Sequence, residues 1–273
     1  MGTIIQPPAA VLLTCPTGLL IVPELRQESE MPFVSLVIPT LNEADNIADF
    51  LTAVSSVLEP QVGTAYELIV VDDNSVDGTW QLAAHAAANN HCIRVVRREG
   101  EAGLASAVIR GWQIATGKVL GTINADFQHP PTMLARMILQ IRNADLVIAS
   151  RHAEGGGLGD WDLGRRVASF GAHLLGRVLV PGVFGLMSDP LSGCYLVRRA
   201  AIAGVELNPL VYKTLIEILV RGRVHSVREC GYEMRKRRRG CSKVGFRQHL
   251  DYIRHLVRLR RAFRGQPRSA KAQ

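Results

Sequence analysis

The sequence predicts an α/β fold: a mostly parallel sheet flanked by helices, with amphipathic helices toward the C-terminus. Three observations carry this. Short apolar runs between residues 34 and 149 alternate with segments of helical periodicity, as βαβ units do. Acidic and amide residues follow two of those runs, at the strand ends where open α/β sheets bind ligands. The 273 residues, 47% hydrophobic and 21% charged, can bury one large α/β core or two small ones.

The elements follow in order. Val34-Ser35-Leu36-Val37-Ile38 is a β-rich run stopped by Pro39, and Asn42 and Glu43 then open a helix through Ile47, Phe50 and Leu51. Leu68-Ile69-Val70-Val71 is a second buried strand, ended by Asp72-Asp73-Asn74-Ser75, and Asp77-Gly78-Thr79 leads into an alanine-rich helix over 80–90. Ile93-Arg94-Val95-Val96 is a third strand, followed by a Gly-containing loop and a helix over 103–116. The fourth strand, 119–123, runs into Asn124-Ala125-Asp126-Phe127-Gln128 and a Pro130-Pro131 stop, before a helix from about 132 to 142. Leu146-Val147-Ile148-Ala149 is the fifth strand, closed by Ser150-Arg151.

Beyond Arg151 the character changes. Gly155-Gly156-Gly157 predicts a mobile loop, and residues 164–186 an amphipathic helical region with Arg165, Arg166 and Arg177 among Leu, Val and Phe. Asp189-Pro190-Leu191-Ser192-Gly193 reads as a tight turn, 211–221 as a helix, 235–240 as a basic loop and 246–263 as a helix with arginines around it. No internal repeat is visible.

Charge is uneven. From Arg221 onward 17 Lys/Arg face three acids, a net +14, which leaves −6 on residues 1–220. A basic tail on an acidic body suits a phosphate-bearing partner: nucleic acid, lipid headgroup or phosphorylated substrate. Aromatics are scarce there (Tyr232, Phe246, Tyr252, Phe263), and single-strand binding needs stacking platforms, so nucleic acid is not expected. The cysteines, Cys15, Cys92, Cys194, Cys230 and Cys241, share no metal-ligand spacing and read as reduced thiols. No apolar run is long enough to span a bilayer. Residues 9–23 are broken by Pro16 and Gly18 and lack a basic start, so a signal peptide is not expected. Residues 1–32 read as a flexible extension.

Two sites of chemistry stand out. If 124–128 stays extended, Asn124, Asp126 and Gln128 face one way, and three oxygen donors suit a hard divalent cation. A solvated turn is the plainer alternative. Residues 70–79 offer carboxylates to a nucleotide at the same sheet edge, or simply an Asx-rich turn with a helix cap. No G-x-G-x-x-G follows the first strand and no P-loop occurs anywhere, which argues against a dehydrogenase or P-loop enzyme.

The ordered motifs IPTLNEADNI (38–47), VVDDNSVDGT (70–79), NADFQHPP (124–131), SRHAEGGG (150–157), SDPLSGCYLVRR (188–199) and RRRGCSK (237–243) resemble those of family 2 glycosyltransferases of GT-A, Rossmann-like fold. Polyprenyl (dolichol) phosphate mannose synthases are the most similar members, and the likeness covers about 33–250. It implies a catalytic domain over 33–245, with 246–273 as a basic amphipathic helix and disordered tail. It further implies transfer of mannose from a nucleotide-sugar donor, GDP-mannose, to a polyprenyl phosphate, with Mg²⁺ or Mn²⁺ as cofactor. The nucleotide pocket would use Pro39, Leu41, Glu43 and Asp72. The metal site would be Asn124, Asp126 and Gln128. Arg151, Arg165 and Ser169 would hold the acceptor phosphate, and Arg237 and Lys243 would close over the diphosphate. Asp126, Arg151, Arg165 and Lys243 would thus carry the catalysis.

Two positions depart from the pattern. Leu41 stands where Tyr is common, which removes a stacking contact, and Asn124 replaces the first Asp of D-x-D, which removes one charge from the metal site. Both keep a UDP-glucose donor open. Because a lipid acceptor is implied without a spanning segment, the expected partners are an anionic membrane surface and a membrane-anchoring protein. The expected location is peripheral, on the cytoplasmic face.

Overall fold

The computed structural model describes residues 11–15, 18–22, 31–159, 163–208, 213–238 and 246–264. Two short strands come first, β1 (Val11–Cys15) and β2 (Gly18–Val22), an antiparallel hairpin in which Leu20 pairs with Val96. Where the sequence suggested a flexible extension, these segments are strand; their Leu, Ile and Val suit a pleated surface.

The βα alternation then runs β3 (Val34–Thr40), α1 (Ala44–Val62), β4 (Tyr66–Asp72), α2 (Thr79–Asn89), β5 (Ile93–Arg97), α3 (Leu104–Ile114), β6 (Val119–Thr122), α4 (Met133–Ile141) and β7 (Leu146–Ser150). After it come α5 (Leu163–Leu179), α6 (Pro181–Phe184), β8 (Tyr195–Arg198), α7 (Arg199–Ile202), α8 (Thr214–Arg221), β9 (Val227–Gly231) and α9 (Phe246–Arg264). The predicted 164–186 helix is therefore two helices, with Pro181 opening the second, a first-turn position where the N–H that proline lacks has no helical partner to lose.

The sheet order is β1-β2-β5-β4-β3-β6-β8-β7-β9. Six strands (β5, β4, β3, β6, β7 and β9) point the same way, and β8 runs against its neighbours β6 and β7. Gly121 permits this insertion, since a Cβ there would stand 2.5 Å from Leu196 Cδ2 and 2.9 Å from Leu36 Cδ1.

Successive strand residues feed opposite cores. Leu36, Ile38, Leu68 and Val70 meet Ile47, Phe50, Met137 and Ile138 on one face. Val37, Ile69 and Val71 meet Val108, Trp112, Phe184, Leu215 and Leu256 on the other. That second core includes α9. Tyr252, His255, Leu256 and Leu259 are buried, and Tyr252 Oη donates to the Ala172 carbonyl at 3.0 Å. The fully buried Glu217 accepts from Arg221 Nε at 2.6 Å and Arg258 Nη2 at 2.7 Å. Burial pulls the His255 imidazole down to about 4, against the pull of Glu217, so it packs uncharged. Helix α9 thus has one face in the core and turns Ile253, Arg254, Val257 and Arg261 outward.

Candidate functional site

Strands β3 and β4 end together, with Thr40 opposite Asp72. The Asp72 carboxylate is fully buried and accepts from Thr40 Oγ1 at 2.7 Å, Ser75 N at 2.8 Å and Ser75 Oγ at 2.6 Å. Both carboxylate oxygens are thereby fixed. The following turn anchors the first motif: Asn42 N donates to Ser75 Oγ at 2.8 Å, Glu43 N to Thr79 Oγ1 at 2.8 Å and Ala44 N to Asp77 Oδ2 at 3.0 Å. Asn42 and Asn74 take left-handed backbones, φ 51 and φ 54, which Asn tolerates better than most residues. The turn-and-cap alternative for 70–79 is therefore physically present, and it also aligns Glu43 with the sheet edge.

Asp73 points elsewhere. Arg98, 2% exposed, donates to it through Nε at 2.8 Å and also through Nη2, while Gly103 N donates to its second oxygen at 2.7 Å. Arg98 also bonds the Gly103 carbonyl and Ser106 Oγ. A single arginine thus staples the loop after β5 to the end of β4. Nothing in the sequence marked it beyond its place beside a strand end.

The fourth cluster corrects one expectation. Strand β6 stops at Thr122, residues 125–126 form a turn, and Phe127 is left-handed at φ 58. Residues 124–128 are not extended, so alternation is not what groups their side chains. Asp126, 2% exposed, accepts the Gln128 N–H at 3.1 Å through Oδ1. Its Oδ2 meets Arg237 Nη2 at 2.9 Å. Arg237 Nη1 reaches Glu43 Oε1 at 3.1 Å, and Glu43 Oε2 accepts from Asn46 Nδ2 at 2.9 Å. One guanidinium therefore joins the first motif, the 124–128 turn and the basic loop. Backbone contacts fix this register: Arg235 N donates to the Gln128 carbonyl at 3.1 Å and Arg238 N to the Asp126 carbonyl at 3.3 Å.

The donor chemistry fits a hard cation. Asp126 would supply a carboxylate, and Asn124 and Gln128 amide oxygens, a set that suits Mg²⁺ or Mn²⁺ keeping phosphate and water ligands of its own. Among the described residues no group of three His, Cys, Asp or Glu side chains could hold a metal ion. His129 closes the floor, buried and stacked on Tyr232 with centroids 5.0 Å apart. Burial pulls its imidazole down to about 4.

On the other side of the cleft Arg151 follows β7 directly. It is bound bidentately to Asp189, Nε to Oδ2 and Nη2 to Oδ1 both at 2.7 Å, and its N–H adds a third bond at 3.1 Å. Burial works against the Asp189 carboxylate, but Arg151's hydrogen bonds and charge hold it below the usual range. Glu229 orients the turn by accepting from Ser188 N at 3.0 Å and Asp189 N at 3.3 Å. Lys213, at the start of α8, donates to the Leu191 carbonyl in that turn. Asp189 and Lys213 were missed by sequence reasoning, because their partners lie far away along the chain. The Gly-rich segment is tethered: Gly157 N donates to the Tyr232 carbonyl at 3.1 Å and the Gly157 carbonyl accepts from Met234 N at 2.9 Å.

Among the other candidates, Pro39 is buried at the end of β3, and Leu41 is exposed. Ser169 lies partly buried on α5; Arg165 belongs to the same helix, but its side chain is outside what is described. Lys243 lies outside the described residues. Helix α5 exposes Val167, Phe170, Leu174 and Val178 at 62, 69, 50 and 64%, a spacing that puts them along one side. Among the described residues no helix is long and apolar enough to cross a membrane.

This architecture recurs in known proteins. The glucosyl-3-phosphoglycerate synthase of Mycobacterium tuberculosis, solved with Mn²⁺, uridine diphosphate and glucosyl-3-phosphoglycerate, superposes with a TM-score of 0.62 at 21% identity, over 87% of this chain and 82% of that one. Mannosyl-3-phosphoglycerate synthase from Rubrobacter xylanophilus gives 0.60 at 22% identity, over 89% and 76%. These share the fold. In sequence, the chain is 39% identical over 227 residues to a dolichol-phosphate mannosyltransferase of Pyrococcus furiosus, covering 83% of this chain and 63% of that relative's length. It is 31% identical to one from Mycosarcoma maydis, over 85% of this chain and 81% of that protein. Residues 35–204 match the family described as Glycosyl transferase family 2. The chain belongs to glycosyl transferase family 2.

Proposed function

We propose that this chain transfers mannose from GDP-mannose to a polyprenyl phosphate, giving a β-linked lipid-phosphate sugar. The observation that carries the reading is the Glu43–Arg237–Asp126 cluster facing a second cationic centre, Arg151, at the same sheet edge. A sugar diphosphate needs cations along its leaving group, and a phosphate nucleophile needs another. The relatives named for dolichol phosphate, and one from Micrococcus luteus named undecaprenyl-phosphate mannosyltransferase that is 31% identical over 184 residues, support the acceptor class and the sugar.

In this mechanism Asp72, Glu43 and Pro39 frame the nucleoside. Arg237 turns from its carboxylate partners to the diphosphate, joined by Lys243. Asn124, Asp126 and Gln128 would hold Mg²⁺ or Mn²⁺, which supplies charge neutralisation on the diphosphate oxygens. Arg151, Arg165 and Ser169 hold the attacking phosphate, for which a planar guanidinium fork is well shaped. A phosphate monoester has its second pKa near about 6, so it attacks without a general base. In-line displacement inverts the anomeric centre, and the catalysis is electrostatic. The test is transfer of radiolabelled sugar into organic-extractable lipid, with GDP-mannose and UDP-glucose side by side. Label entering from GDP-mannose alone is expected. Entry from UDP-glucose alone keeps the chemistry and changes the donor, a reading that Leu41 and Asn124 leave open.

The lipid acceptor is reached from the side. The apolar stripe of α5, flanked by Arg166 and Arg177, and the outer face of α9 suit an anionic membrane surface, where each Lys or Arg contributes roughly 1 kcal/mol. A peripheral place on the cytoplasmic face, with a separate membrane-anchoring partner, completes this reading. Phe170→Asp combined with Leu174→Asp is expected to cut sedimentation with anionic liposomes by about tenfold with Tm unchanged. Undiminished pelleting would move the contact to α9.

A further inference from the structure

Arg151 and Asp189 are so well matched that the pair raises a difficulty for the acceptor site. Both carboxylate oxygens of Asp189 already fill the Arg151 fork, in the geometry a phosphate would use. An incoming phosphate must share or displace that carboxylate, and displacing it would strand a buried anion. Such a charge without a partner costs several kcal/mol. A second cation on the Asp189 side removes the difficulty.

Lys213 is placed to be that cation. It opens α8, and its Nζ donates to the carbonyl of Leu191, two residues beyond Asp189 in the same turn. Burial and the charge of Arg151 pull its ammonium down to about 7, and Asp189 opposes them. The same three groups, with Asp126, act on the imidazole of His129 beneath the donor turn. Arg151, Asp189 and Lys213 therefore act on one another around the 189–191 turn. With Arg151 and Lys213 charged, the three carry one net positive charge, the sign an entering phosphate monoester needs.

We propose that Lys213 is a positioning residue of the acceptor site: it takes over the Asp189 carboxylate when Arg151 turns to the phosphate. The inference rests on the polyprenyl-phosphate reading above and adds a residue to it. Lys213 itself is not required to touch the lipid. Its loss leaves the fold and the donor pocket in place and removes the means by which Arg151 is freed.

The experiment measures binding of farnesyl phosphate, a short polyprenyl monophosphate, and of GDP by calorimetry, for the full chain and for Lys213→Met and Lys213→Arg. Lys213→Met is expected to weaken farnesyl phosphate binding by about tenfold or more, the scale of one hydrogen bond to a charged group. GDP affinity and Tm are expected to stay within about twofold and about 2 °C of the parent. Lys213→Arg, which keeps the charge, is expected to recover most of the loss. Unchanged farnesyl phosphate affinity in Lys213→Met overturns the proposal, as does a parallel loss of GDP binding or an Arg variant no better than Met. A parent chain that binds no farnesyl phosphate overturns it as well. Sugar transfer by the parent chain is scored separately. Failure of transfer with the Lys213 effect intact would reject the enzymatic reading alone.

Discussion

Asp126→Ala is expected to cut sugar transfer at least about a hundredfold, the scale seen when one preorganised electrostatic group is lost at a reacting centre. Asp126 is the one carboxylate among the three proposed metal ligands, because Asn124 and Gln128 contribute neutral amides. It also holds Arg237 at 2.9 Å, so the substitution releases the guanidinium toward Glu43 alone. EDTA should reproduce the loss in the parent chain, and added Mn²⁺ or Mg²⁺ should restore it there but not in the variant. Initial rates of label entry into lipid, beside a thermal melt showing an intact fold, are the measurement. Full activity in EDTA, or in Asp126→Ala, would sink the role given to this turn.

Arg98→Met is expected to have the largest effect on stability. Arg98 and Asp73 are both nearly buried, with side chains 2% and 6% exposed, and removing one member of such a pair costs about 3–5 kcal/mol. Gly103 N still reaches Asp73, which places the expectation near the lower end. For a chain of this size that corresponds to a fall of roughly 5–10 °C in Tm. Since the lost guanidinium ties the loop after β5 to Asp73, the neighbour of Asp72, donor KM should rise while acceptor KM stays near the parent value. Differential scanning calorimetry and donor titrations check both. A melt within about 1 °C of the parent would mean that water or another side chain replaces the guanidinium.

The alternation of β3 through β7 was legible because several apolar runs end at a residue with a local turn signal: Pro39 one residue short of the end of β3, Asp72 as the last residue of β4 and Ser150 as the last of β7. The same local logic missed β8. Tyr195–Arg198 is short and pairs with two strands distant in sequence, so its strand character comes from its neighbours. The 124–128 segment failed differently. Its polar alternation suggested an extended ligand strip, whereas left-handed Phe127 packs edge-on against Phe50 at 5.1 Å and bends the chain into a turn. The candidate site residues were named through ordered motifs, but the motifs did not give their pairing. Glu43 and Arg237 are separated by 194 positions, and Arg151 and Asp189 by 38; no periodicity links such partners. Asp189, Lys213 and Arg98 bear charges that composition counts as surface, and only the fold reveals them as interior.

The antiparallel strand β8 also orders the birth of the molecule. On the ribosome Leu146–Ser150 emerges well before Tyr195–Arg198, yet it can join the sheet only through them. The half from β3 to β6 can assemble as synthesis proceeds, while β6 waits with a bare hydrogen-bonding edge of the kind that invites mispairing. Nascent chains arrested before residue 195 should therefore be protease-resistant up to β6, sensitive beyond it and prone to association. Completion of β8 is the event that seals the sheet.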